Sequence, residues 1–167
     1  MLKKILLAVL VAAPMFMSAQ AVKFGVINPQ EIVNVMPDYA TAQNTIKTVS
    51  DKYQTQAKAL QDEYDKKMQE YQDLTKAKAA DTQLEAKAKE IQDIQTRFQN
   101  FQQTAQNDLQ KQQETLMAPI EQKLNNAIQS VGAKGGYTAI FMEGALMYKG
   151  SNLEDVSAKV KAELGIK

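Results

Sequence analysis

Two stretches of this 167-residue chain group side chains in ways that could do chemistry. Asp62, Glu63 and Asp65 crowd three carboxylates together, the raw material of a hard-cation site or of acid–base work. Residues 144–151 (GALMYKGS) hold glycine, lysine and serine in an order close to that of a phosphate-cradling loop. That loop requires G-x-x-x-x-G-K-[ST], and here Lys149 precedes Gly150, so the lysine is misplaced and the segment reads as the end of a hairpin. The carboxylates have no convergent partner in the pattern and read as a solvated helix face.

What is missing narrows the chemistry further. The chain has no Cys, no His and no Trp. Disulfides, thiolate nucleophiles, zinc–thiolate sites and a lipidated amino-terminal cysteine are excluded. So are the usual neutral-pH general base and the commonest metal ligand. No catalytic, metal-binding or cofactor-binding residue is therefore expected. A net charge of +1 also argues against nucleic acid as a partner, since that would need a basic surface.

Residues 1–21 read as a secretory signal peptide. Lys3 and Lys4 precede an apolar run over 5–13, too short to span a bilayer, and Ala19-Gln20-Ala21 supplies an A-x-A cleavage site. Cleavage after Ala21 removes two lysines, which leaves 18 basic against 19 acidic residues and a mature charge of −1. The expected destination is the periplasm, as a soluble protein.

The remaining chain divides into a body and an arm. Residues 38–118 contain neither Gly nor Pro, so nothing there is built to turn sharply. Over 38–131, Leu, Ile, Val and Phe supply 15 of 94 residues, against 15 of 52 in 22–37 and 132–167 together. The ends can bury an ordinary core; the middle can do so only as an elongated helix pair, or else is disordered. Periodicity favours helices. Ala42, Ile46, Val49, Tyr53, Ala57, Leu60, Tyr64, Met68 and Tyr71 follow one another at steps of three and four, with a mean near 3.6, the repeat of a nearly straight α-helix. A second stripe runs through Leu84, Ala88, Ile91, Ile94, Phe98, Phe101, Ala105, Leu109, Gln112, Leu116, Ile120, Leu124, Ile128 and Val131. A hairpin tip near 79–83, with Asp81 or Thr82 capping the returning helix, lets the two stripes bury each other. The alternative is one continuous helix of roughly 140 Å.

The body segments are 22–37 and 132–167. The first is a strand over 22–28, with Val22, Phe24 and Val26 on one face, followed by a short helical turn from Pro29 holding Ile32 and Val33. Asp38 after Pro37 opens the long helix. Beyond the glycines of 132–136, strands are expected over 137–142 and 145–148. A last helix over 156–164 is capped by Asp155 and stopped by Gly165. The fold class is α+β and mostly helical: a long antiparallel helical hairpin on a small β-rich body. So small a core, with no disulfide or metal to staple it, needs oligomerisation, and Phe24, Val26, Ile140 and Met142 are the candidate contact residues.

These residues resemble the Skp/OmpH family of periplasmic chaperones for outer-membrane proteins. The likeness rests on VKFGVINPQEIVNVMPDYATAQ (22–43), the Gln-rich arm and YTAIFMEGALMYKGSNLEDVSAKVKAEL (137–164), including its D-[IV]-[ST]-x-K-V pattern at Asp155-Val156-Ser157, Lys159 and Val160. The resemblance implies a jellyfish-like homotrimer whose three hairpin tentacles enclose a cavity, and ATP-independent holding of unfolded outer-membrane proteins. Better-known members are strongly basic, whereas this arm carries 12 basic and 14 acidic residues, so strong membrane binding is not expected. Tyr64, Met68, Tyr71, Phe98 and Phe101 are the candidate client-contact residues of the arm. The competing reading is a periplasmic coiled-coil scaffold or adaptor without chaperone activity; an enzyme is a distant third.

Overall fold

In the computed structural model, residues 22–166 are described; the expected leader at 1–21 lies outside them. The chain runs β1 (Phe24–Ile27), α1 (Pro29–Asn34), α2 (Pro37–Lys76), α3 (Asp81–Gly135), β2 (Ala139–Met142), a 3-10 turn (Glu143–Ala145), β3 (Glu154–Asp155) and α4 (Ser157–Glu163). Helices α2 and α3 form the antiparallel arm. At 1.5 Å per residue they are about 60 and 80 Å long. Among the described residues, no helix is long and apolar enough to cross a membrane.

Local signals set the element ends. Pro29 and Pro37 each open a helix, where a missing N–H costs nothing. The Asn28 side chain accepts from the Glu31 amide at 3.4 Å, capping α1. Gly136, at φ 66°, lets the chain leave α3 in the left-handed region.

The arm turns at 77–80, slightly before the expected tip, and neither expected cap forms. Ala80 is the N-cap of α3 and makes no side-chain hydrogen bond, while Asp81 is already inside the helix, where its charge still suits the dipole. The turn manages without Gly or Pro because Lys78 adopts φ 52°. Backbone bonds from Ala77, Lys78 and Ala79 to the carbonyls of Asp73, Thr75 and Leu74 close the end of α2.

The body is a three-stranded sheet in the order β2-β1-β3, with both neighbours parallel to β1. Phe24 pairs with Ala139 and Ile27 with Met142 on one side; Gly25 pairs with Glu154 and Val26 with Asp155 on the other. This corrects the expected third strand at 145–148. After β2 the chain closes a 3-10 turn, with the Leu146 amide bonded to the Glu143 carbonyl, and is led away rather than doubled back on β2. Glu154 and Asp155 are poor strand formers. They occupy the edge because the free side of β1 is there to pair with, a tertiary preference that overrides propensity. The N-cap of α4 is Val156 rather than the expected Asp155, whose carboxylate one residue earlier accepts from the Ser157 amide at 2.9 Å.

Ile27, Ile32, Val33, Met36, Ala42, Ile120, Leu124, Ala127, Val131, Val156 and Val160 form the core. It lies where α1, α4 and the roots of α2 and α3 meet the sheet. Gly25 lets its neighbours pack closely at the centre, since a Cβ there would lie 3.0 Å from Val156 Cγ1 and 3.2 Å from Ile140 Cγ1, tighter than ordinary contact. At the sheet's opening end a polar clamp closes over Tyr137. Lys23 Nζ sits 4.1 Å above its ring and Lys159 Nζ donates to its hydroxyl at 2.9 Å, while Glu154 bridges both lysines.

Outward along the arm the packing thins. Ala42 is the one fully buried residue of α2, and the other positions of its stripe are half-buried. Leu124→Ala in the body should therefore lower the unfolding free energy by about 3 kcal/mol, and Leu60→Ala in the arm by only about 1 kcal/mol. Urea titrations followed by circular dichroism measure both; equal losses would show an arm packed as tightly as the body.

Candidate functional site: the seam of the arm

The two expected stripes face each other along α2 and α3, except that Ala88 of the second is exposed. Every residue of the first stripe is at least half-buried, and Ile91, Ile94, Ala105, Ile120, Leu124 and Val131 of the second are fully buried. Spacing of three and four puts these side chains on one face of each helix, and the hairpin brings the faces together.

The five candidate contact residues of the arm are all half-buried. Tyr64 and Phe98 meet across the seam in an open slot of ≈ 320 Å³, completed by Leu60, Ile94 and the carboxamides of Gln61, Gln95 and Gln99. Gln95 Nε2 donates to the Tyr64 hydroxyl at 3.4 Å. Phe101 is placed elsewhere: its ring packs edge-on against Tyr53, with centroids 5.8 Å apart at 61°, and the Tyr53 hydroxyl donates to Asp108 at 2.8 Å. Met68 and Tyr71 lie one and two turns nearer the tip on the same stripe. Leu60, Ile94 and the three glutamines belong to the slot but were not singled out by sequence. The stripe phase carried the two apolar residues; nothing in the pattern marks one glutamine among so many.

The carboxylates 62, 63 and 65 do not converge. Lys58 donates to Asp62, Gln61 donates to Asp65 at 2.9 Å, and Arg97 forms a two-pronged pair with Glu63 at 3.0 and 3.1 Å across the seam. Among the described residues no acidic group is arranged to hold a metal ion. The 144–151 segment is no phosphate loop either: Lys149 donates to Glu143 at 2.9 Å, and the next helix starts only at Ser157.

Towards the tip, charges replace apolar contacts. Glu90 pairs with Lys67 at 2.7 Å and Lys87 at 2.8 Å, and Glu70 pairs with Lys87 at 2.9 Å, which ties α2 to α3. These bonds, those of Lys67 and then Lys87, hold the Glu90 carboxyl at about 2. Lys87 also lowers Glu70 and is itself raised by both carboxylates.

The four candidate residues of the body do not form one surface. Strand pairing puts Phe24 and Val26 on the sheet face shared with Ala139 and Phe141, and the two phenylalanine rings lie 5.8 Å apart. Ile140 and Met142 belong to the opposite face and line a groove of ≈ 500 Å³ beside Ile27, Val33 and Leu124. Val26 is buried, whereas Met142 is 59% exposed. Phe141 (39%), Met147 and Tyr148, both almost bare, are further exposed apolar residues of the body.

Comparison with known proteins gives one consistent result. Residues 23–164 match the family model OmpH, outer membrane protein (OmpH-like). The chaperone protein Skp of Yersinia enterocolitica is 27% identical over 146 residues, covering 86% of this chain and 86% of that protein. A solved structure from Caulobacter crescentus CB15, described as an OmpH-like outer membrane chaperone, aligns with a TM-score of 0.74. It covers 86% of this chain and 84% of the other at 18% identity, a likeness of fold.

The charge clasp has a pH signature. Because folding depresses the Glu90 carboxyl from 4.5 to about 2, its contribution is present above pH 4.5 and is lost as the pH falls towards 2. Protection factors of amides in the distal arm, taken relative to the intrinsic exchange rate at each pH, should fall over that window, and Glu90→Gln should flatten the response. An identical pH profile in the variant would show that the clasp does not hold the helices together.

Proposed function

The chain belongs to the OmpH-like family, and from that premise we propose that it is an ATP-independent periplasmic holdase. It receives unfolded outer-membrane proteins between helical arms and keeps them from aggregating. What supports this reading is the family match over 23–164, carried on an arm where Tyr64, Met68, Tyr71, Phe98 and Phe101 are only partly buried.

The physics suits the task. A client strand of an outer-membrane barrel alternates apolar and polar residues and aggregates through its free edges. Many weak contacts, none of them chemical, are enough to hold such a chain. Tyr64 and Phe98 offer aromatic surface, and Gln61, Gln95 and Gln99 around them offer neutral donors and acceptors that suit a peptide backbone. Met68 and Tyr71 extend the surface towards the tip, and Phe101 contributes its free edge beside Tyr53. Neutral lining favours promiscuity over selection by charge.

The holdase works as a homo-oligomer, on the family pattern a trimer. Parallel sheets are ordinarily covered on both faces. Here the outer edge of β2 is open, Phe141 and Met142 beside it are exposed, and Met147 and Tyr148 follow almost bare. A second copy would cover these groups, with Phe24, Val26 and Ile140 lying in or just beneath the contact.

Two outcomes follow. The mature protein, in modest excess and without nucleotide, should suppress light scattering by a urea-unfolded outer-membrane barrel on dilution. Tyr64→Ser with Phe98→Ser should weaken that protection several-fold; no suppression by the wild type, together with tight binding of one folded partner, would favour a scaffold instead. Phe141→Glu should shift the mass measured by light scattering towards the monomer while helical circular dichroism persists. A fully assembled variant would refute a body shared through β2.

A further inference from the structure

The charges of the arm are unevenly placed. On α2 the segment 53–57 (YQTQA) carries none, and on α3 the segment 98–107 (FQNFQQTAQN) carries none. The hairpin sets these segments side by side: Tyr53 packs on Phe101, and its hydroxyl reaches Asp108, where the α3 run ends. Together they make an uncharged belt around the middle of the arm, about 15 Å tall on α3. Eight of its fifteen residues are Gln or Asn and all eight are exposed, so carboxamides make up its surface.

A solvated helix face requires no such run. On either side of the belt, α2 pairs opposite charges four residues apart, Lys47 with Asp51 at 2.6 Å and Lys58 with Asp62 at 3.0 Å. Arg97, the residue before the α3 run, crosses the seam to Glu63. Inside the belt the corresponding pair is neutral, with Gln103 Nε2 donating to Asn107 Oδ1 at 3.0 Å. Gln forms helix about as well as Lys or Glu, so helix formation does not choose between them. What the exchange alters is the surface. Ions, which salt screens and which select partners by sign, give way to dipoles that do neither.

We infer that the belt is where the arm grips an unfolded chain, through the client's backbone and not its charge; this rests on the holdase reading above. An unpaired strand exposes N–H and C=O groups in a row. Each carboxamide offers two donors and a carbonyl acceptor, so it matches either group whatever the client's sequence or direction. A charged side chain in its place would have to shed water to lie against a neutral backbone. Tyr53, Phe98 and Phe101, all half-buried, give the strand's apolar side chains a surface to rest on. Fifteen ångströms is about the length of four or five extended residues. Through Phe98 and Gln99 the belt adjoins the slot at Tyr64 on its distal side.

The test measures affinity for a urea-unfolded outer-membrane barrel by the client's tryptophan fluorescence, since this chain has no Trp of its own. Raising the salt from about 0.01 M to about 0.15 M shortens the screening length from about 30 Å to about 8 Å. Over that range the wild-type Kd should change by less than about two-fold. Two belt variants are compared: Gln56→Glu, Gln102→Glu and Gln106→Glu together, and Gln56→Lys, Gln102→Lys and Gln106→Lys together. Circular dichroism and mass in solution check that each is folded and assembled. Both should bind several-fold more weakly, whatever the sign. A control with Gln43→Glu, Gln83→Glu and Gln113→Glu, exposed positions outside the belt, should bind like the wild type. No loss in the belt variants, tighter binding by one sign, a steep salt dependence of the wild type, or an equal loss in the control would overturn the belt alone. Disassembly of both belt variants would also overturn it, by making the belt a contact between copies. A wild type that binds no unfolded barrel would overturn the holdase reading, and the belt with it.

Discussion

The structure depends on the pairing of β1 with two parallel neighbours. Parallel strands cannot be joined by a tight turn; the chain must leave one end of the sheet and return to the other through a crossover. In most folds that crossover is one helix packed on the sheet. Here it is α1, α2 and α3 together, an excursion of about 60 Å out and back. Because β1 and β2 lie about 4.8 Å apart, the sheet holds both roots of the arm side by side. The helices must then run antiparallel, and their apolar stripes come face to face. Gly25, which admits Val156 and Ile140 against the strand, is the point on which this clamp closes.

That clamp divides the molecule energetically. In the body Ile32, Val26, Val156 and Val160 are almost wholly removed from water. In the arm small and half-exposed side chains alternate with ion pairs, and exposed pairs contribute at most about 1 kcal/mol each. The result is a firm root carrying a soft, adaptable limb, in which local opening costs little. The same softness leaves Tyr64, Phe98 and their neighbours partly open to a visitor. The body for its part is incompletely covered, with apolar groups bare beside an unpaired strand edge.

Much of this could be read from the residues. The mean spacing of 3.6 placed the seam almost residue by residue, and Ala42 and Val131, which open and close its stripes, are both buried. Pro29, Pro37, Gly136 and Gly165 marked element ends because their backbones admit few alternatives. The third strand was misplaced because strand formation is a matter of partners. Leu146, Met147 and Tyr148 have the composition of a strand and no neighbour within the chain, while Glu154 and Asp155 have the composition of a helix start and a free edge to fill. The tip resisted for a related reason, since Lys78 takes a left-handed conformation that its side chain does not announce. The slot around Tyr64 was only half legible: its aromatic floor follows the stripe, and its glutamine rim is fixed by which helix faces which.

Central to the proposed function is an assembly that would hold an unfolded chain by shape. The most direct measurement is native mass spectrometry of the mature protein, alone and after mixing with an unfolded outer-membrane barrel. The protein alone should appear as one discrete oligomer, and the mixture should show the same oligomer carrying a client chain. A monomer that leaves the client unbound would contradict the account.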